Sequence, residues 1–155
     1  MVQLKLTING FGREVLVQAH ETLLFTLRER LALTGTKPGC EQGACGSCTV
    51  LLDGRPVLAC LTASVRCGGK DIVTIEGVEQ NGELHPVQRQ LVAKGAIQCG
   101  YCTPGIVMTA LAFLRENRRP GENDIRAALA GNVCRCTGYA KIVEAVRAAA
   151  EEMAR

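Results

Sequence analysis

Leu4, Leu6 and Ile8 alternate with polar neighbours, the period-two pattern of a half-buried strand. Asn9-Gly10 follows as a turn signal, and Val15 and Val17 alternate in a returning segment, so residues 3–18 read as a hairpin. Leu23, Leu24, Leu27 and Leu31 then fall at helical spacing, which predicts a helix over 23–33 that ends before Gly35. Residues 38–48 form a loop rich in glycine and cysteine. Two apolar segments, Thr49 to Leu52 and Pro56 to Ala59, flank Asp53-Gly54 and predict a second strand pair. Asp71 to Ile75 reads as a last strand. A mixed sheet crossed by one helix accommodates these elements.

The pattern changes after about residue 76. Pro86 to Ala93, Pro104 to Glu116, Asp124 to Ala130 and Tyr139 to Met153 read as four helices. Asn123 is the expected N-cap and Gly131 the expected C′ residue of the third. The fold class is therefore α+β, with an α+β half at 1–76, a helical half at 77–155 and Glu76 to Leu84 as the linker. One internal echo stands out. Cys102-Thr103-Pro104-Gly105 and Cys136-Thr137-Gly138-Tyr139 each precede an apolar helical stretch, with the threonines as expected N-caps and Pro104 at the first helical position. Helix N-termini directed at one place would favour an anionic group there.

Composition changes the picture in one respect. Of 155 residues only 3% are aromatic and none is Trp, so any core is aliphatic. Neither half has an obvious core of its own, and small domains of that kind need a staple. Nine cysteines are the candidates. The N-terminal segment lacks a basic stretch followed by an apolar one, and no apolar run reaches the roughly 20 residues that span a bilayer. The expected location is cytoplasmic, where disulfides are rare and clustered thiols serve as metal ligands or redox groups. The formal charge of +3 counts every thiol as neutral. Thiols that ligate a metal ionise, so the charge of a metal-loaded chain would be less positive. Basic residues are scattered, so no nucleic-acid partner is expected.

Cys40, Cys45, Cys48 and Cys60 carry the first constellation. The C-x4-C-x2-C spacing is that of plant-type [2Fe–2S] loops, with the fourth ligand supplied later in the chain. Several thiolates must converge from one short segment while backbone N–H groups turn toward the sulfurs. Gly39, Gly43 and Gly46 permit the turns this needs. Cys99, Cys102, Cys134 and Cys136 form a C-x2-C pair and a distant C-x-C pair, which suits zinc as well as a [2Fe–2S] cluster. Cys67 matches neither set and reads as a free, partly buried thiol. His20 and His85 stand without catalytic partners and read as surface or turn residues.

Three runs, Gly39-Cys-Glu-Gln-Gly-Ala-Cys-Gly-Ser-Cys-Thr49, Gln98-Cys-Gly-Tyr-Cys-Thr-Pro-Gly105 and Gly131-Asn-Val-Cys-Arg-Cys-Thr-Gly-Tyr139, resemble the iron–sulfur subunit of the xanthine oxidase family of molybdenum hydroxylases. The resemblance spans nearly the whole chain, in order. It implies a plant-type ferredoxin β-grasp domain at 1–76 holding one [2Fe–2S] cluster on Cys40, Cys45, Cys48 and Cys60. It implies a four-helix-bundle domain at 77–155 holding a second on Cys99, Cys102, Cys134 and Cys136, which selects iron over zinc there. Gln98 and Cys136 match residues that face the molybdopterin of a large subunit. Electrons are then expected to pass from molybdenum through the bundle cluster and the ferredoxin cluster to FAD on a medium subunit, or to another acceptor. The expected assembly is a heterotrimer, with pairing into a dimer of trimers. The alternative is a stand-alone two-cluster ferredoxin-like electron carrier.

Overall fold

The structure is a computed structural model that describes residues 1–155. Strands β1 (Val2–Ile8) and β2 (Phe11–Val17) form the predicted hairpin, in register from Val2↔Val17 to Ile8↔Phe11. Asn9 and Gly10 turn it with φ of 52° and 82°, the pair of left-handed positions a two-residue turn requires. β3 (Thr49–Leu52) and β4 (Arg55–Leu58) pair antiparallel around Asp53-Gly54, where the same device recurs. β5 (Asp71–Val73) joins the hairpins, parallel to β1 and antiparallel to β3, so the sheet order is β2-β1-β5-β3-β4.

The helix expected over 23–33 is shorter. α1 (Leu23–Phe25), capped by the Thr22 hydroxyl, widens into a π-helical turn at Thr26–Arg30. Leu31 N–H bonds Thr26 O and Leu33 N–H bonds Leu27 O, and Ala32, at φ 57°, ends the run. Helical spacing extended the prediction because Leu31 still faces the core from this wider turn.

The four later helices are α2 (Pro86–Ala93), α3 (Thr103–Glu116), α4 (Glu122–Ala128) and α5 (Ala140–Met153). Their caps differ from expectation. α4 starts at Gly121, whose N–H is held by Asp124 Oδ2 at 2.8 Å, so Asn123 lies inside the helix. Leu129 is the C-cap, which leaves Gly131 in the following loop. Thr103 lies within α3, and α5 begins only at Ala140, after Tyr139 at φ 69°. The two Cys–Thr steps are therefore not equivalent. His85, expected at the surface or in a turn, caps α2: its Nδ1 accepts Val87 N–H at 3.2 Å, and Gln88 Oε1 accepts His85 N–H at 3.0 Å.

Contrary to the expectation of coreless halves, each half has its own apolar cluster. Fourteen buried residues, including Leu6, Val17, Leu23, Leu27 and Ile72, fill the space between sheet and α1. Twenty more, including Met108, Ile125, Ile142 and Val146, fill the helical half. Strand β3 serves both. Val50 points to the first cluster and Leu51 to the second, because successive strand residues face opposite sides, and α3 lies against β3 and β4. The continuous apolar run of β3 is the sequence trace of a strand covered on both faces. The linker is also structured. Ile75–Gly77 forms a 3₁₀ turn, Asn81 and Gly82 close a tight turn at φ 55° and 84°, and Glu76 accepts Gly35 N–H at 2.7 Å and the Thr74 hydroxyl at 2.6 Å. No helix is long and apolar enough to cross a membrane.

Candidate metal centres

The Gly39–Cys48 loop folds back on Cys40. Gly43 (φ 82°) and Gly46 (φ 73°) take left-handed conformations that let successive amides face one way. Ala44 N–H and Cys45 N–H reach Cys40 Sγ at 3.2 and 3.3 Å. The backbone amides of Gln42 and Ala44 hold the Cys40 thiol down at about 6, so it is ready to ligate as a thiolate. Cys48 and Cys60 lie at the buried side of the loop, at the start of β3 and just after β4. Burial, with the neighbouring Cys60 and Cys45 thiols, pushes Cys48 up to about 11. A cation must offset that cost before Cys48 can ionise.

The second set gathers at the start of α3 and in the loop before α5. Cys99 and Cys136 are exposed, with their sulfurs 3.5 Å apart. Cys102, at the N-cap of α3, is half-buried, and burial and its neighbour Cys134 push it up to about 12. Cys134 is pulled the other way: burial raises its pKa, but the Thr137 hydroxyl at 3.0 Å and nearby backbone amides outweigh that and lower it. Cys136 is raised by Cys99.

The main thiol–thiol interactions pair Cys40 with Cys45, Cys48 with Cys60, Cys99 with Cys136 and Cys102 with Cys134, and weaker ones join the pairs, Cys45 to Cys48, Cys99 to Cys102 and Cys134 to Cys136. Four thiols gathered in two pairs suit a binuclear iron cluster held by four thiolates. Cys67 stands apart. It is fully buried rather than partly, with its Sγ 3.7 Å from Ala63 O, and burial raises its pKa.

The two loops touch each other. Val133 N–H donates to Cys45 O at 2.8 Å, and Asn132 Nδ2 donates to Gly46 O at 3.1 Å. The Tyr139 hydroxyl accepts Cys134 N–H at 2.7 Å and donates to Asn132 O at 2.9 Å. Gln98 is exposed beside Cys99.

Comparison with known proteins matches each half to a family. Residues 6–65 match the 2Fe–2S iron–sulfur cluster binding domain, and residues 74–147 match a second family described as the [2Fe–2S] binding domain. The chain is 42% identical over 153 residues to the nicotinate dehydrogenase small FeS subunit of Eubacterium barkeri, covering 99% of this chain and 98% of that protein. The chain belongs to the iron–sulfur subunits of xanthine oxidase-family molybdenum hydroxylases. A second member of this family, the aldehyde oxidoreductase of Megalodesulfovibrio gigas, is 46% identical over 153 residues, which span 97% of this chain and 17% of that larger protein. The crystal structure of quinoline 2-oxidoreductase from Pseudomonas putida 86 superposes with a TM-score of 0.96 at 44% identity, covering 99% of this chain and 96% of the matched chain. As an iron–sulfur subunit the chain carries two [2Fe–2S] binding domains and transfers electrons within an oxidoreductase of several subunits, in which molybdenum belongs to a large partner.

Within this family context, the sequence reading left two residues without a role. Asn132 and Tyr139 both lie in the Gly131–Tyr139 run. An asparagine two residues before Cys134 was the available signal, but nothing in the spacing shows that it is buried or what its amide touches.

Proposed function

We propose that Cys40, Cys45, Cys48 and Cys60 ligate one [2Fe–2S] cluster and Cys99, Cys102, Cys134 and Cys136 the other, in domains that meet at residue 76. Held there, the clusters would supply one-electron steps, passing electrons singly from a molybdopterin centre on the large subunit towards FAD on a medium subunit or another acceptor. The observation that carries the order is the asymmetry of the second set. Cys99 and Cys136, with Gln98 beside them, open to the surface, whereas the backbone before Cys134 bonds the first loop at Cys45 O. Electrons entering at the open edge would meet the first cluster on the inner side. Gln98 and Cys136 are then the residues facing the pterin. Backbone N–H groups aimed at Cys40 would raise the potential of a cluster held there, because they would stabilise the extra charge of the reduced state.

In this reading the assembly is a cytoplasmic heterotrimer, paired into a dimer of trimers. Nicotinate, quinoline and aldehyde appear in the names of its relatives, so the substrate is a choice made by the large subunit. The test is purification through a tag on this chain, with metals, flavin and low-temperature EPR measured on one dithionite-reduced sample. Two distinct [2Fe–2S] signals with co-purifying molybdenum and FAD are expected. Iron without a molybdenum partner would make the chain a free electron carrier, and one zinc with one cluster would overturn the relay. Gln98→Ala should leave both signals intact and slow electron arrival from molybdenum. Normal turnover of that variant complex would remove Gln98 from the pterin contact.

A further inference from the structure

The contact between the two cysteine loops has a centre, the carbonyl of Gly46. It accepts Thr49 N–H at 3.2 Å, the Thr49 hydroxyl at 2.7 Å and Asn132 Nδ2 at 3.1 Å. A methyl group added to Gly105 of α3 would lie 2.2 Å from it, so the backbone of α3 is packed directly against this oxygen. Asn132 itself is 3% exposed. Its own carbonyl is held by the Tyr139 hydroxyl, which also takes Cys134 N–H. Tyr139 does this from φ 69°, a backbone region that bulky residues rarely occupy. Strain of this kind persists where the surroundings over-determine it and is characteristic of functional sites.

We propose that Asn132 and Tyr139 form a clamp by which the second cysteine loop sets the hydrogen-bond geometry at the first cluster. Asn132 is a positioning residue acting through Gly46, and Tyr139 acts through Asn132. The amides of Ala44 and Cys45 that point at Cys40 hang on the same short backbone whose carbonyls, Cys45 O and Gly46 O, are fixed by Val133 and Asn132. Releasing Gly46 O lets that backbone tilt and turns the amides away from sulfur. Loss of N–H donors lowers a cluster's potential. A residue of the C-terminal motif would thus govern the N-terminal cluster.

The inference rests on the ligand assignment proposed above, and the experiment separates the two. Redox titrations of the purified complex are followed by EPR, with Cys45→Ser used to identify the first-cluster signal by its loss. Asn132→Ala and Tyr139→Phe should each move the first-cluster midpoint to more negative potential, by more than any movement of the second. The double variant should move it no further than Asn132→Ala alone, since groups acting in series do not add. Tyr139→Phe removes one oxygen and keeps the ring, so it carries the same expectation if Asn132→Ala fails to assemble. An unmoved first-cluster midpoint in the variants that assemble, a shift confined to the second cluster, or two shifts that sum in the double variant would overturn the clamp. Survival of both signals in Cys45→Ser would instead overturn the ligand assignment.

Discussion

Gly46→Ala tests how tightly the two halves are fitted together. The added methyl would sit 2.3 Å from Gly131 O and 2.7 Å from Asn132 Nδ2, closer than real side chains come, so one backbone must move. The movement separates Asn132 Nδ2 from Gly46 O and Val133 N–H from Cys45 O. Each such bond contributes about 1 kcal/mol net. The left-handed φ of 73° adds about 1–2 kcal/mol for any residue with a side chain. The expected loss is about 3–4 kcal/mol. Gly10→Ala is the matched control: its φ is 82°, but nothing lies within 4 Å of the added carbon. It should lose only the conformational part. The difference, about 2 kcal/mol, corresponds to roughly 4–8 °C in melting temperature for a chain of this size. The assay is anaerobic thermal unfolding of the cluster-loaded protein, followed by visible circular dichroism of the clusters. If the two variants melt within about 2 °C of one another, the loops are not in the close contact described and the argument fails.

Removal of iron by a chelator should affect the halves unequally. Cys48 and Cys60 are members of the first buried core, whereas the second is complete without a fully buried cysteine, so far-UV circular dichroism should retain most of its helical signal. A complete loss of helicity would contradict this. His85 caps α2 only while Nδ1 is unprotonated, and burial, with Arg115 and Arg89 nearby, lowers its pKa below the usual 6.5. The unfolded chain therefore takes up the proton first, and the cap's contribution, full above about pH 6.5, is lost as pH falls through the folded pKa. His85→Asn, which keeps a capping oxygen, should flatten that dependence of melting temperature on pH; an unchanged slope would show that another group carries it. Leu51→Ala should cost about 2–5 kcal/mol in denaturant unfolding, since Leu51 is fully buried in the helical core although it belongs to the sheet. A loss under about 1 kcal/mol would mean that β3 does not join the halves. Cys67→Ala should keep both EPR signals, and loss of either would make Cys67 part of a metal site.

Much of this molecule was written locally in its sequence. The hairpin turns at Asn9-Gly10 and Asp53-Gly54 need only residues that accept a left-handed backbone, so they were legible at once. So were α2 to α5, read from their apolar spacing, and the two sets of four cysteines, read from theirs. What escaped depends on backbone geometry and on hydrogen-bond partners that apolar spacing does not encode. The π-helical turn at Thr26–Arg30 is closed by Leu31 N–H on Thr26 O, and apolar periodicity does not distinguish it from an ordinary helix end. The cap at His85 required Val87 N–H and Gln88 to meet one side chain. The pairing of Cys99 with Cys136, and the bonds from Asn132 and Val133 to Gly46 and Cys45, join residues far apart in sequence, and no local pattern encodes them. Spacing marked the candidate ligands because it limits what a short loop can reach. Only the packing of α3 against β3 decided that the two loops would touch, because contact between distant segments is set by which apolar faces are buried together.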